Sequence, residues 1–263
     1  MSAKPCGACG DTGFEFVEQD GRTFARPCVC RRPGSSTDAL LASCRIPPRY
    51  EHCNLGEFDT DTNPYLRAAR DKCFAYAANY PFVGKEDEGL GLLFTGDTGV
   101  GKTHLAVSVL RELVMTKGVR GQFWDFNELI REIKDSYNAE TKTTELQVLA
   151  PIVEMDVLVL DDLGAWRMTD WMNDTLFYIL NSRYMGRRAT IITTNFQDVD
   201  REAVLAADPM RRKEFLVERI GQRLRSRLME MCIVISMQGL KDHRVESQPG
   251  KLAALRGFGG GRS

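Results

Sequence analysis

The sequence predicts an α/β fold, a five-stranded parallel sheet sandwiched between helices. Short apolar segments alternate with longer amphipathic ones along most of the 263 residues. The short segments, such as Val157-Leu158-Val159-Leu160, are apolar without a break, as suits strands covered on both faces. A glycine-rich turn from Gly96 to Thr103 joins one of them directly to a helix.

The elements follow in order. Residues 1–33 are rich in Gly and Cys, with little apolar periodicity. Residues 34–80 read as a linker and connector: Gly34 to Asp38 is a linker, and Pro47-Pro48 forbids helix. Ala and aromatic positions at three- and four-residue spacing predict a helix from Leu66 to Tyr80. Within residues 81–246, strands are expected at Gly91–Thr95, Gly121–Phe126, Val157–Leu160, Ala189–Thr194 and Cys232–Ser236. Helices are expected at Lys102–Thr116, from an Asn127 cap to Tyr137, and at Leu146–Glu154, Trp171–Tyr184 and Glu214–Met231. The tail, residues 247–263, is rich in Gly and small residues and is expected to be disordered.

Composition narrows the function class. The formal net charge is −1, so no whole-chain basic field attracts nucleic acid, and any such contact must come from local patches. Met1 to Pro5 shows no apolar signal segment, and no apolar run approaches the roughly 20 residues of a membrane helix. A cytoplasmic protein with no membrane contact is expected.

G-x-x-x-x-G-K-T is matched by Gly96, Gly101, Lys102 and Thr103, with Asp97, Thr98, Gly99 and Val100 between and His104 following. The glycines let backbone N–H groups turn toward phosphate oxygens, and the helix that starts there adds its positive end. Lys102 is expected on the β- and γ-phosphates of ATP, and the Thr103 hydroxyl on Mg²⁺. At the end of the Val157 strand, Asp161 fits a Mg²⁺-associated acid and Asp162 the residue that polarises the attacking water. A helix cap is the other reading of Asp162. Asn195 ends the strand through Thr193-Thr194 and is placed to hold the lytic water or the γ-phosphate, or simply to serve a turn.

Cys6-x-x-Cys9, an eighteen-residue gap and Cys28-x-Cys30 supply four thiolates, the closed ligand set of a structural Zn²⁺ site. A redox dithiol, an Fe–S cluster and no metal at all are the alternatives. Between the pairs, Phe14 to Val17 and Arg22 to Ala25 flank Asp20-Gly21 and read as a hairpin. Cys44, Cys53, Cys73 and Cys232 read as small buried side chains.

Several segments carry a resemblance. Gly99-Val100-Gly101-Lys102-Thr103-His104-Leu105-Ala106, Leu160-Asp161-Asp162-Leu163-Gly164, Asn181-Ser182-Arg183-Tyr184, Thr193-Thr194-Asn195, Arg223 to Leu228 and Gly239 to Arg244 follow one another in order. With the N-terminal cysteines and Ile46-Pro47-Pro48-Arg49-Tyr50, they resemble AAA+ helicase loaders of the DnaC/DnaI type and the related IstB transposition helper ATPases. The resemblance implies an AAA+ P-loop NTPase without a C-terminal lid, since only some nineteen residues follow Arg244. It implies Asn195 as sensor 1, Arg227 (or Arg223, one helical turn away) as a finger for a neighbour's ATP, and Arg244 as a sensor-2-like arginine. It also implies partners: a hexameric replicative DNA helicase, single-stranded DNA, and further copies of the chain joined through their ATP sites. Arg131, Lys134 and Lys142 occupy the place where such proteins face single-stranded DNA, interleaved with acids. The zinc module is read as holding either the helicase or nucleic acid. An ATP-dependent helicase loader and a transposition helper both remain open.

Overall fold

Strand and helix periodicity resolve into one central sheet and a separate small hairpin. The computed structural model describes residues 14–19, 22–27, 37–60, 63–81, 91–136, 145–198 and 215–237. In the hairpin, β1 (Phe14–Gln19) pairs antiparallel with β2 (Arg22–Pro27), with Gln19 opposite Arg22 across the Asp20-Gly21 step. Cys6, Cys9, Cys28, Cys30 and Arg244 lie outside the described residues, as do the 247–263 tail and the stretch that would carry a lid.

The central sheet contains β3 (Gly91–Gly96), β4 (Gly121–Asp125), β5 (Val157–Asp161), β6 (Ala189–Thr194) and β7 (Cys232–Met237). All its pairings are parallel and the order is β4-β5-β6-β3-β7. Strands β3, β5 and β6 are buried along their whole length, which explains why they carry apolar residues and threonine, with a single charge at Asp161. The order also matters for chemistry. The carboxyl ends of β3, β6 and β5 lie side by side, where open α/β sheets bind ligands.

Helices cover both faces. On one side lie α1 (Thr37–Ser43), α2 (Pro64–Asn79) and α3 (Lys102–Lys117), where Leu105, Val109 and Leu113 share a core with Leu66, Cys73, Tyr76, Cys44, Cys53 and Phe58. On the other lie α4 (Phe126–Asp135), α5 (Glu145–Glu154), α6 (Asp170–Met185) and α7 (Leu216–Met231). Their Leu129, Ile133, Leu149, Ile152, Leu176, Ile179, Leu224 and Leu228 form a second core. The predicted two-sided sandwich of five parallel strands is therefore present.

Local capping chemistry moved some boundaries. Asn127 does not cap α4. Asp125 does, its Oδ1 accepting from the amides of Asn127 and Glu128 at 2.8 and 3.0 Å, so the helix begins at Phe126. Asn63 caps α2 in the same way and starts it at Pro64. Helix α7 is interrupted at Gly221, whose φ of 78° and ψ of 162° are not helical. Its second half, after Gly221, carries Arg223, Arg225 and Arg227.

Arg183 is wholly buried in α6. Its Nη1 donates to the carbonyls of Ile152 and Met155 at 2.8 Å, its Nη2 to Ala189 at 2.5 Å, and its Nε to Thr190 Oγ1 at 3.0 Å. One guanidinium thus closes the C-terminal end of α5 and fastens it to the start of β6.

Candidate functional site

The turn after β3 is built by backbone conformations that only glycine adopts freely. Gly96, Gly99 and Gly101 have φ of 143°, 82° and 95°. A Cβ on Gly96 would meet the Met237 carbonyl oxygen at 2.4 Å, so β7 packs against the turn closely enough to exclude any side chain there. The chain then enters α3, whose first turn starts with Lys102 and Thr103. Lys102 is almost buried, and its Nζ donates to the carbonyls of Gly96 and Asp97 at 3.0 and 2.7 Å, which holds the ammonium over its own loop.

Asp161 ends β5 at the same height. Thr103 Oγ1 donates to its Oδ1 and Oδ2 at 2.9 and 3.2 Å, and Thr193 Oγ1 donates to Oδ1 at 2.5 Å. Burial pushes the Asp161 carboxyl up from its ordinary value. The two hydroxyls oppose this, and the nearby Asp162 and Asp125 add to it. Asp162 follows with φ of 59°, a left-handed conformation rare outside glycine. Its amide donates to Thr193 Oγ1 at 2.9 Å, and its Oδ1 accepts from Asn195 Nδ2 at 2.6 Å. The predicted residues Lys102, Thr103, Asp161, Asp162 and Asn195 thus converge. They line a cavity of about 310 Å³, with Thr98, Gly99, Gly101 and His104 on its P-loop side.

The His104 ring packs edge-on against Phe58 at 5.1 Å and faces His52 at 6.2 Å. Its buried Nε2 has no hydrogen-bond partner among the described residues. Burial, with His52 beside it, lowers its pKa, although a hydrogen bond with the Asn54 backbone works the other way. His104 therefore borders the cavity as a neutral, packed ring.

Three lining residues went unassigned in the sequence. Arg49 and Tyr50, from a 3₁₀ turn at Pro48–Tyr50, close one wall. Asp125 lies beside Asp161 in the β4–β5 pairing. The signal for Asp125 was available, since it is a carboxylate at the C-terminal end of a strand next to β5. Arg49 and Tyr50 had only their place in the connector motif.

The match that decides the family is broad. The profile described as IstB-like ATP binding protein fits residues 51–237. The chain belongs to the IstB-like ATP binding protein family. Among this protein's relatives, XkdC of the phage-like element PBSX of Bacillus subtilis (strain 168) is 26% identical over 234 residues, 86% of this chain and 79% of the relative. The replicative helicase loader DnaI of the same organism is 31% identical over 122 residues, 46% of this chain and 37% of that loader's length. A crystal structure of the DnaC helicase loader matches with a TM-score of 0.59 and 33% identity, covering 72% of this chain and 99% of that one.

In this IstB-like chain the α7 arginines lie away from the cavity and are engaged within the subunit. Arg223 stacks over Phe177 at 3.6 Å. Arg227 lies over Tyr184 at 4.4 Å and donates to Glu230 at 2.8 Å. Arg225 pairs with Asp198. Neither Arg223 nor Arg227 lines the cavity of its own chain. Of the cations considered for nucleic acid, Lys134 lies over Trp171 at 5.3 Å, Arg131 is exposed, and Lys142 is outside the described residues. Among the described residues, no three metal-ligating side chains gather as a cluster, and no helix is long and apolar enough to cross a membrane.

Proposed function

We propose that the chain is an ATP-dependent loader of a hexameric replicative DNA helicase. The observation that carries this reading is the 33% identity to the DnaC helicase loader, covering 99% of that chain.

The turn from Gly96 to His104 would hold the ATP phosphates on backbone N–H groups, with Lys102 on the β- and γ-phosphates. Thr103 and Asp161 offer hard oxygen donors, the type Mg²⁺ takes, and would hold that ion. Bound Mg²⁺ supplies charge neutralisation on the transferring phosphoryl group. Asp162 polarises the attacking water, and Asn195 orients the Asp162 carboxylate to which it is bonded. Arg227 of a neighbouring copy, or Arg223 in its place, would complete the site in trans. Arg244 would sense the nucleotide from the C-terminal side. ATP favours self-association and engagement of single-stranded DNA, and hydrolysis releases the helicase. Cys6, Cys9, Cys28 and Cys30 would hold Zn²⁺ and form the partner-binding module.

Affinity capture from the source cell with Asp162→Asn in ATP tests the reading. Enrichment of a replicative helicase in ATP over ADP is expected, and no helicase in either nucleotide overturns it. The family profile favours a second reading, a transposition helper that assembles on duplex DNA. Capture of a transposase instead of a helicase would establish that one.

A further inference from the structure

We infer that Thr193 is the positioning residue that fixes the Asp161 carboxylate for Mg²⁺, an inference that rests on the ATP-site reading above. Thr193 sits on β6 and is only 2% exposed. The paired register of β5 and β6 stops at Leu160 opposite Ile192, so Asp161 and Thr193 are the first residues beyond it. There the Thr193 side chain takes over from the backbone. Its Oγ1 accepts from the Asp162 amide at 2.9 Å. A hydroxyl has one proton. With that N–H directed at its oxygen, the proton goes to Asp161 Oδ1 at 2.5 Å. The Thr193 carbonyl also accepts from the Leu163 amide at 2.8 Å. One threonine therefore fixes the direction of Asp161, the backbone of the left-handed Asp162 and the exit of the chain after it.

The other hydroxyl on Asp161 belongs to Thr103. That hydroxyl is itself assigned to the metal, so it is not dedicated to holding the carboxylate. Thr193 is buried beside Asp161 at the cavity wall, and its one hydroxyl proton goes to the carboxylate alone. Asn195, two residues on, acts on Asp162 instead. The strand thus serves the two acids with two different side chains.

The test compares Thr193→Val, which keeps the shape and removes the hydroxyl, with Thr193→Ser, which keeps the hydroxyl. ATP binding is measured in EDTA and across a Mg²⁺ titration, alongside the turnover number. A hydrogen bond to a charged group is worth roughly a ten- to hundredfold effect. The Val variant is expected to bind ATP in EDTA as the wild type does. It should need about tenfold more Mg²⁺ for half-maximal tightening and turn over at least about tenfold more slowly, while Ser restores both. A Val variant with the wild-type Mg²⁺ midpoint, or Ser and Val variants equally impaired, overturns the inference. Thr193→Ala, judged by the same two outcomes, replaces a Val variant that does not purify folded. A wild-type chain that binds no ATP with Mg²⁺ overturns the ATP-site reading itself, which is a different result from an unaffected Val variant.

Discussion

Asn195 Nδ2 donates to Asp162 Oδ1 at 2.6 Å, tying the end of β6 to the residue just past β5. The bond joins two side chains 33 positions apart and orients a carboxylate on a left-handed backbone. Asp162 is therefore not a helix cap. Helix α6 begins several residues later, capped by Thr169, whose Oγ1 accepts from Met172 N.

That geometry makes Asp162→Asn the informative catalytic variant. Asparagine tolerates a left-handed φ about as well as aspartate, so folding should be unaffected. The carboxamide oxygen still accepts from Asn195, but the negative charge is gone. Turnover is expected to fall by about 10²–10⁴-fold, the usual range for a general base, with ATP affinity within about threefold of wild type. Steady-state hydrolysis and nucleotide titration read both. Unchanged turnover would remove Asp162 from the chemistry. Asp162→Ala should also lose about 1 kcal/mol of stability to backbone strain, which separates the two substitutions.

The phosphate turn and the acids after β5 were legible because each is a contiguous segment whose neighbours, an apolar strand and an amphipathic helix, lie beside it in sequence. The five strands were legible for the same reason: burial on both faces keeps β3 and β5 apolar up to their carboxyl ends, where Thr95 and Asp161 stand. What stayed hidden depends on contacts between distant residues. The carbonyls gathered by Arg183, as far as 31 positions away at Ile152, have no local period, whereas the Asp125 cap is local and lies two residues before the Asn127 that the sequence suggested. Arg49 and Tyr50 line the cavity from the connector, whose Phe58 packs on His104 of α3. The arginines of α7 looked available in sequence, yet the fold stacks Arg223 on Phe177 and Arg227 on Tyr184.

His104 gives a pH prediction. Its pKa lies below the ordinary value near 6.5, chiefly because burial disfavours the charged ring. As the pH falls, the unfolded chain takes up this proton before the folded one does. Stability is therefore full above 6.5 and is lost as the pH drops through the lower folded value. His104→Phe keeps a ring against Phe58 and removes the proton site. Urea unfolding at pH 7.5 and 5.5 should show a smaller loss for the variant than for the wild type. Equal losses would assign the acid sensitivity to other groups.

Thiol counting tests the cysteine assignment. Burial raises Cys44 and Cys53 to about 11, and Cys73 and Cys232 to about 12. At pH 8 almost none of these four is thiolate, so none should react with a disulfide reagent in the native protein. If the other four hold Zn²⁺, they too are protected until a chelator is added. Of the eight cysteines, the reagent should then find none in the native protein, four after chelation and eight after denaturation. Four fast thiols without chelator, together with no zinc by elemental analysis, would refute the metal assignment.

Arg183 should be the most costly single residue outside the cavity. Burial, with Arg188 nearby, pulls it down to about 9, which still leaves it charged at neutral pH. No carboxylate accepts a hydrogen bond from it among the described residues. Carbonyls of Ile152, Val153, Met155 and Ala189 and the Thr190 hydroxyl receive its protons instead. Two of those carbonyls, Ile152 and Val153, belong to the last turn of α5 and Met155 follows it directly, where a helix carries negative partial charge and lacks its own donors. Arg183→Met fills similar space but leaves these acceptors without their donor, and a loss of about 3–5 kcal/mol is expected, as for breaking a buried charged network. Arg183→Lys keeps the charge with fewer donors in a different geometry and should recover only part of that loss. Chemical denaturation without nucleotide measures both. A Met variant within about 1 kcal/mol of wild type would mean that water reaches the α5 carbonyls, and that the guanidinium is a passenger rather than the clamp between α5 and β6.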